Sequence, residues 1–312
     1  MKNSCNRSIR NALAIFLSFL RMGVSQDQLG TLYGMPDQRI SVAIDAVSEA
    51  LDSNFVPNYL GYNHVSKEEI IRNHTRAFAR VLTRSSPDTL ILVPDGGYLY
   101  IEKSENFDVQ KSTYSSYKYT NLVKVMTLVT TTGYILSVEG LYYADARNND
   151  ASILNHMIQD PSNGFSSLLQ GGGVCLVVDR GFRDSVALVE SLGHEVRMPN
   201  LLPRNQKQLT CAQANESRLC TAVRWVVESV YGRLKNVFKF FGRKISNHYI
   251  CSDKLNRFIR IACAMLNKYF PPIVADRVGD EGLANRMLER ASNSNALEAF
   301  IEKKKLLTQR ID

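Results

Sequence analysis

Two short stretches constrain this chain most. "TLILVPDGG" and "GGGVCLVVDRG" each carry an unbroken apolar run that ends on an aspartate, Asp95 in the first and Asp179 in the second. Runs so short and so uniformly apolar read as buried, central strands. An ionised carboxylate is costly to desolvate. At the end of such a strand it must be paired, hold a metal, or cap the next element.

The neighbouring segments supply the rest of a sheet. "YLYIEKS" reads as a second strand, and "NLVKVMTLVT" and "YILSVEGLYY" as two more, joined through "TTG" in a hairpin. "NNDASILNHMI" opens a helix, "DSVALVESLG" is a helix ending on glycine, "HEVRMP" is a short strand, and "ESRLCTAVRWVVESVYGRLKNVF" is a long amphipathic helix. Trp225 and Tyr231 on that helix are expected in the core. Consecutive strands followed by alternating helix and strand predict an α/β fold, a mixed sheet with helices on its faces.

Residues 1–55 read as all-helical. In "SQDQLGTLYGMPDQRISVAIDAVSEAL" Ser25 is an N-cap, Leu29, Leu32 and Tyr33 are expected to face a core, Gly34 frees the turn and Pro36 starts the next helix. That is a helix-turn-helix plan. Its second helix carries four acids, Asp37, Asp45, Glu49 and Asp52, against Arg39 alone. A plain helical bundle therefore stays open, and only the end with Gln38, Arg39 and Ser41 suits DNA. The opening "MKNSCNRSIRNALAIFLSFLRMG" resembles a signal peptide in its basic start, but Leu13, Phe16, Leu17 and Leu20 have helical spacing and no small-residue cleavage site follows. A core-facing helix is the expectation, since the run is too short to span a membrane. "LGYNHVSKEEIIRNHTRAFARVL" is expected as a single helix boxed by Ser66 and Glu69. The expected division is residues 1–55 for the helix-turn-helix unit, 56–88 for a connecting helix and linker, 89–270 for the mixed-sheet domain and 271–312 for a tail, whose end "LEAFIEKKKLLTQRID" is a peripheral helix or disordered.

The chain carries a net charge of +8, which points to an anionic partner, nucleic acid before a membrane surface. From Leu201 to Arg260 there are twelve Lys and Arg against three acids, a net of +9. A solvated helix face is the bland alternative. Six cysteines without paired spacing and five scattered histidines give no zinc pattern. Reduced thiols in an intracellular compartment fit best.

A third acid, Glu228, lies within the apolar "VRWVVES". If the two apolar strands lie side by side, Asp95 and Asp179 meet, and a helix packed over that edge can deliver Glu228. Clustered carboxylates repel, and a divalent cation relieves the repulsion. Oxygen donors without His or Cys favour Mg²⁺ or Mn²⁺, and two such ions about 4 Å apart can serve phosphodiester chemistry. Each acid also has an ordinary alternative. Asp179 can cap the turn towards the Asp184 helix, Glu228 can pair with Arg224 four residues earlier, and Asp95 can be a turn aspartate.

"PDGGYLYIEKS", "YYADARNNDASIL", "VVDRGFRDS" and "NESRLCTAVRWVVESVYGRLK", in this order, resemble the DDE-type nuclease of PIF/Harbinger transposases and their invertebrate relatives. The helical unit resembles the helix-turn-helix that precedes that nuclease. The resemblance spans roughly residues 10 to 275. It implies a ribonuclease-H-like fold and cleavage of DNA at transposon ends, followed by strand transfer, with two divalent ions, Mg²⁺ or Mn²⁺. It implies Asp95, Asp179 and Glu228 as catalytic metal ligands. Asp150 in "NNDASI" matches a further acid, which is a ligand, a residue behind the ligands, or a helix cap. "DGG" departs from the commoner "DGT". Arg224, Arg233, Lys235, Lys239, Arg243 and Lys244 are expected to neutralise phosphates, with Arg39 on the helical unit. Double-stranded DNA is the expected partner, no membrane is involved, and the nucleus follows from the DNA substrate and the relatives. A separate Myb-like DNA-binding protein and self-assembly belong to the wider expectation. The rivals are a domesticated DNA-binding protein without cleavage and a different phosphoesterase on the same fold. A carboxylate-pair glycosidase leaves the basic segment and the helical unit without a role.

Overall fold

The computed structural model describes residues 8–293 together with Phe300 and Lys303. The closing "LEAFIEKKKLLTQRID" segment lies almost wholly outside the described residues, as does the basic start before Ser8.

Three helices lead: α1 (Ile9–Met22), α2 (Gln26–Tyr33) and α3 (Asp37–Asn54). Ser25 caps α2 in a reciprocal box with Gln28, and Gly34 at φ 61° makes the tight turn that a side chain would strain. Ala12, Ile15, Phe16, Phe19 and Leu20 of α1 are buried. The buried stripe is rotated from the expected one, so Leu13 reaches the surface. Leu32, expected inside, is 61% exposed. The stretch after Ser66 forms two helices rather than one, α4 (Lys67–His74) and α5 (Ala77–Thr83). Thr75 is extended between them, and the Arg76 amide donates to Thr131 Oγ1 (2.7 Å) instead of continuing the helix.

The sheet follows: β1 (Leu90–Tyr100), α6 (Phe107–Thr113), β2 (Tyr114–Ser115), β3 (Thr120–Thr130), β4 (Ile135–Tyr143), α7 (Asp150–Gln159), α8 (Gly164–Gln170), β5 (Val174–Val177), α9 (Val186–Ser191) and β6 (Glu195–Arg197). The chain closes with α10 (Cys211–Val237), α11 (His248–Cys251), α12 (Lys254–Tyr269) and α13 (Asp280–Ser292). Strand order is β2-β3-β1-β5-β6, with β4 beside β3. β3 runs antiparallel to both of its neighbours, β1 and β4, whereas β5 and β6 run parallel to β1. An antiparallel three-stranded meander continued by two parallel strands is the ribonuclease-H-like arrangement.

The two strands expected from Thr89 to Ser104 are one. Pro94 does not break β1, for a geometric reason. The Leu90 amide donates to Gly173 O, so even-numbered amides point towards β5. β5 pairing has ended at Leu92, so the amide that Pro94 lacks has no acceptor to lose.

The sheet separates two cores. Ile91, Val93, Cys175 and Val177 pack with α10, α12 and the leading helices. Leu90, Leu92, Leu176 and Val178 pack with α7, α8 and α9. Each fully buried aliphatic contributes on the order of 2 kcal/mol, which holds both strands rigid beneath the carboxylates. The acids of α3 face α12: Lys254 pairs with Asp45 (2.7 Å), Arg257 with Glu49 (3.5 Å) and Arg260 with Asp52 (3.2 Å). The acidity of α3 thus serves its seat on the fold, and three of the twelve bases counted from Leu201 to Arg260 are engaged there.

Candidate active site

The β1–β5 register fixes the first two carboxylates. Leu90 pairs with Val174 and Leu92 with Leu176, an offset of 84 residues that, continued past this last pair and the end of β5, brings Asp95 and Asp179 level (95 + 84 = 179). Both continue the odd-numbered series Ile91–Val93 and Cys175–Val177, which faces α10. α10 brings Arg224 and Glu228 to the same place. Arg224 Nη1 lies 3.2 Å from Asp95 Oδ1, and its Nη2 donates in a short bond to Glu228 Oε1. The Arg224–Glu228 pair is therefore real, and it is also part of the acidic cluster.

Asp150 arrives from the other face. Asn149, not Asp150, caps α7 by accepting from the Ser152 amide (2.8 Å), which leaves the Asp150 carboxylate free of the capping role. It lies against Gly96, where a Cβ would stand 2.6 Å from Asp150 Oδ1. Gly96 thus admits Asp150 to the strand. Gly97 admits Tyr231 from the opposite face, whose ring occupies the place of a Cβ. The Tyr231 hydroxyl donates to the Asp95 carbonyl (3.0 Å) and lies 2.8 Å from Thr127 Oγ1. The second glycine of "DGG" is required by this packing, since any side chain there would displace Tyr231.

The electrostatics follow from crowding. Burial pushes the Asp95 carboxyl up to about 7, against the pull of Arg224, with Asp179, Asp150 and Glu228 adding repulsion. Burial also raises Asp150, opposed by Lys124 at 3.6 Å, with Asp179 adding. Asp150 Oδ1 is buried without a hydrogen-bond partner. Asp179 realises the cap reading as well, since its Oδ1 accepts from the Gly181 amide (2.7 Å). Among the described residues no three His, Cys, Asp or Glu side chains stand as a ready ligand set for one ion. Glu228 is turned to Arg224 and its side chain is 61% exposed. The donor chemistry nevertheless fits a hard cation: all-oxygen ligands, one buried oxygen without a hydrogen bond, and mutual repulsion that positive charge relieves.

The expected phosphate-binding residues divide. Arg224 holds Asp95 and Glu228. Arg233 donates to the Pro271 and Pro272 carbonyls, Lys235 to Tyr98 O (3.0 Å) and Arg243 to Gly23 O (2.9 Å). Lys239, Lys244 and Arg39 are exposed. Trp225, expected in the core, is 40% exposed one turn from Glu228, whereas Tyr231 is packed as expected. Sequence reasoning missed Lys124 and the role of Tyr231. Lys124 had a signal, a lone charge inside the apolar run "NLVKVMTLVT".

The family model described as DDE superfamily endonuclease matches residues 95–267, more than half of the chain, from the first of these aspartates onwards. The chain belongs to the DDE superfamily of endonucleases. Asp95, Asp150, Asp179 and Glu228 all lie within the match to this superfamily. Among solved structures, a Mos1 transposase paired-end complex with the left transposon end is 16% identical, over 87% of this chain and 82% of that one, at a TM-score of 0.24. A pre-cleavage Mos1 transpososome is 15% identical with the same coverage and a TM-score of 0.20. No curated protein matches. Among the described residues no helix is long and apolar enough to cross a membrane.

Proposed function

We propose that this chain is a metal-dependent DNA endonuclease of the transposase type, cutting phosphodiester bonds at the ends of a mobile element and joining the freed strand to a target. The single observation that carries the reading is the convergence of Asp95 on β1 and Asp179, just past the end of the parallel strand β5, under the helix that carries Arg224 and Glu228. Asp95, Asp179 and Glu228 hold the divalent cations, Mg²⁺ or Mn²⁺, and Asp150 joins them from below Gly96. When bound, the cations polarise the scissile phosphodiester and lower the pKa of the attacking water. Asp95 and Asp179 are fixed by buried strands, so the carboxylates need little reorganisation. Glu228, exposed and paired with Arg224, is the member that would have to turn from Arg224 to serve as a ligand, while Arg224 could keep its contact with Asp95.

Duplex DNA is held by Lys239 and Lys244, and by Arg39 where the helix-turn-helix unit of residues 1–55 touches it, ahead of the nuclease domain of residues 89–270. The PIF/Harbinger type, a nuclear location, a separate Myb-like DNA-binding partner and self-assembly on paired ends complete the proposal. A second reading, a DNA-binding protein that has lost cleavage, draws support from Arg224, which already neutralises Asp95 and Glu228. Glu228→Gln separates the two. On the first reading the wild type nicks plasmid DNA with Mn²⁺ and the variant binds DNA without nicking. Normal nicking by the variant removes Glu228 from the site, and absence of nicking by the wild type favours the second reading.

A further inference from the structure

The hairpin between β2 and β3 carries aromatic rings where a soluble surface has little reason to place them. Tyr117 and Tyr119 are 78% and 82% exposed, and Tyr114 is also exposed. Tyr119 adopts φ 54°, a left-handed conformation unfavourable for a bulky residue. Such strain is retained where the position of the side chain matters. Lysines interleave with the rings. Lys118 Nζ lies 4.7 Å from the Tyr117 ring centre and 5.5 Å from that of Tyr98. Lys235 Nζ lies 5.7 Å from the centre of Tyr100. From Gln110 to Lys124 the chain holds Lys111, Lys118 and Lys124 and no acid.

This surface is continuous with the carboxylates. Lys124 Nζ is 5.9 Å from the Tyr98 ring centre and 3.6 Å from Asp150 Oδ1. Tyr98 follows Gly96 on the same face of β1, the face that receives Asp150. Its hydroxyl is pushed up to about 12, by burial first and then by Asp150 and Asp95.

Duplex DNA presents phosphates outward and hides its base faces, so lysines alone would suffice to hold it. Exposed aromatic faces between cations suit unpaired nucleotides, whose bases stack while their phosphates meet the lysines. We infer that Tyr117, Tyr119 and Lys118, with Tyr98 behind them, form a platform for an unpaired stretch of the DNA strand adjoining the Asp95–Asp179 site. The inference rests on the reading of that site as one that cuts DNA. It gives the enzyme a reason to prefer frayed or overhanging ends to uninterrupted duplex.

The test uses the full chain and fluorescence anisotropy with three probes: a single-stranded oligonucleotide, a blunt duplex and the same duplex with an unpaired end. Tyr117→Ala with Tyr119→Ala should weaken the single-stranded and frayed probes by about tenfold or more, the range for losing base–aromatic stacking. Blunt duplex binding should be unchanged. Tyr117→Phe with Tyr119→Phe should restore binding, because the ring face is kept. Both side chains are largely exposed, so the substitutions spare the fold. Unchanged single-strand binding by the alanine variant overturns the platform. So does an equal loss on all three probes, which marks a phosphate contact only, or a change in sedimentation without a change in binding, which marks an interface between copies. A cleavage assay on the wild type beside the binding series keeps the two proposals apart. Ring-dependent binding with no cleavage by the wild type overturns the cleavage reading alone, and cleavage with ring-independent binding overturns the platform alone.

Discussion

Asp95→Asn should change how the stability of the metal-free protein depends on pH. Burial and the neighbouring acids hold the native Asp95 carboxyl at about 7, whereas its ordinary value is 3.8. Between these values the native state keeps a proton that the unfolded state has released. Stability from this group is therefore intact below the ordinary value, falls as pH rises towards about 7, and stays lost above it. The penalty accumulated between about pH 5 and pH 8 is up to about 3 kcal/mol, from 1.36 kcal/mol per pH unit of separation. Asparagine does not titrate and removes that slope. Loss of the 3.2 Å contact with Arg224 shifts the variant by a constant amount, because guanidinium groups do not titrate in this pH range. Asp150 contributes a slope of the same sign to both proteins. The assay is urea denaturation followed by far-ultraviolet circular dichroism in a chelating buffer at the two pH values. The wild type should lose up to about 3 kcal/mol more than the variant on going to the higher pH. Equal losses would refute the claim that Asp95 sits in a repulsive, buried cluster.

Two further outcomes follow from the packing and the charge. Gly97→Ala should destabilise the fold by about 1–3 kcal/mol, the usual cost of overpacking, and should weaken cation binding, because it displaces the Tyr231 ring and with it the bond to the Asp95 carbonyl; thermal melting and cation titration check both. Reversal of the exposed Lys239 and Lys244 to Glu should weaken duplex binding and reduce the slope of log K against log salt by about 2 if each contacts one phosphate. Arg243→Glu should instead lower stability, since Arg243 ties the segment after α10 to Gly23 O at the end of α1.

The site was legible where the chain carries a conflict. Asp95 and Asp179 stand out because carboxylates end apolar runs, and the parallel register that aligns them follows from those same runs. Glu228 was legible as an acid within an apolar helix stripe. The continuity of β1 was not, because it depends on which side β5 stops pairing, a tertiary fact that local turn chemistry at Pro94-Asp95-Gly96-Gly97 cannot carry. The split between α4 and α5 was hidden for a similar reason, since the bond that ends the helix comes from Thr131, far along the chain. The basic segment was legible as charge but not as partnership. Arg224, Arg233, Lys235, Arg243, Lys254, Arg257 and Arg260 all find partners within the protein. Trp225 is exposed because it falls off the buried stripe of α10, which runs through Val223, Val226, Val227 and Val230, a rotation that its size and apolar neighbours in sequence do not reveal.

The central claim is that Asp95, Asp179 and Glu228 gather to hold divalent cations. Calorimetric titration of Mn²⁺ into the wild type and into Asp179→Asn, with and without duplex DNA, tests it most directly. The account predicts saturable binding to the wild type, strengthened by DNA, that disappears in the variant. No binding to the wild type with DNA present, or equal binding by the variant, would contradict it and leave Asp179 as the cap of Gly181.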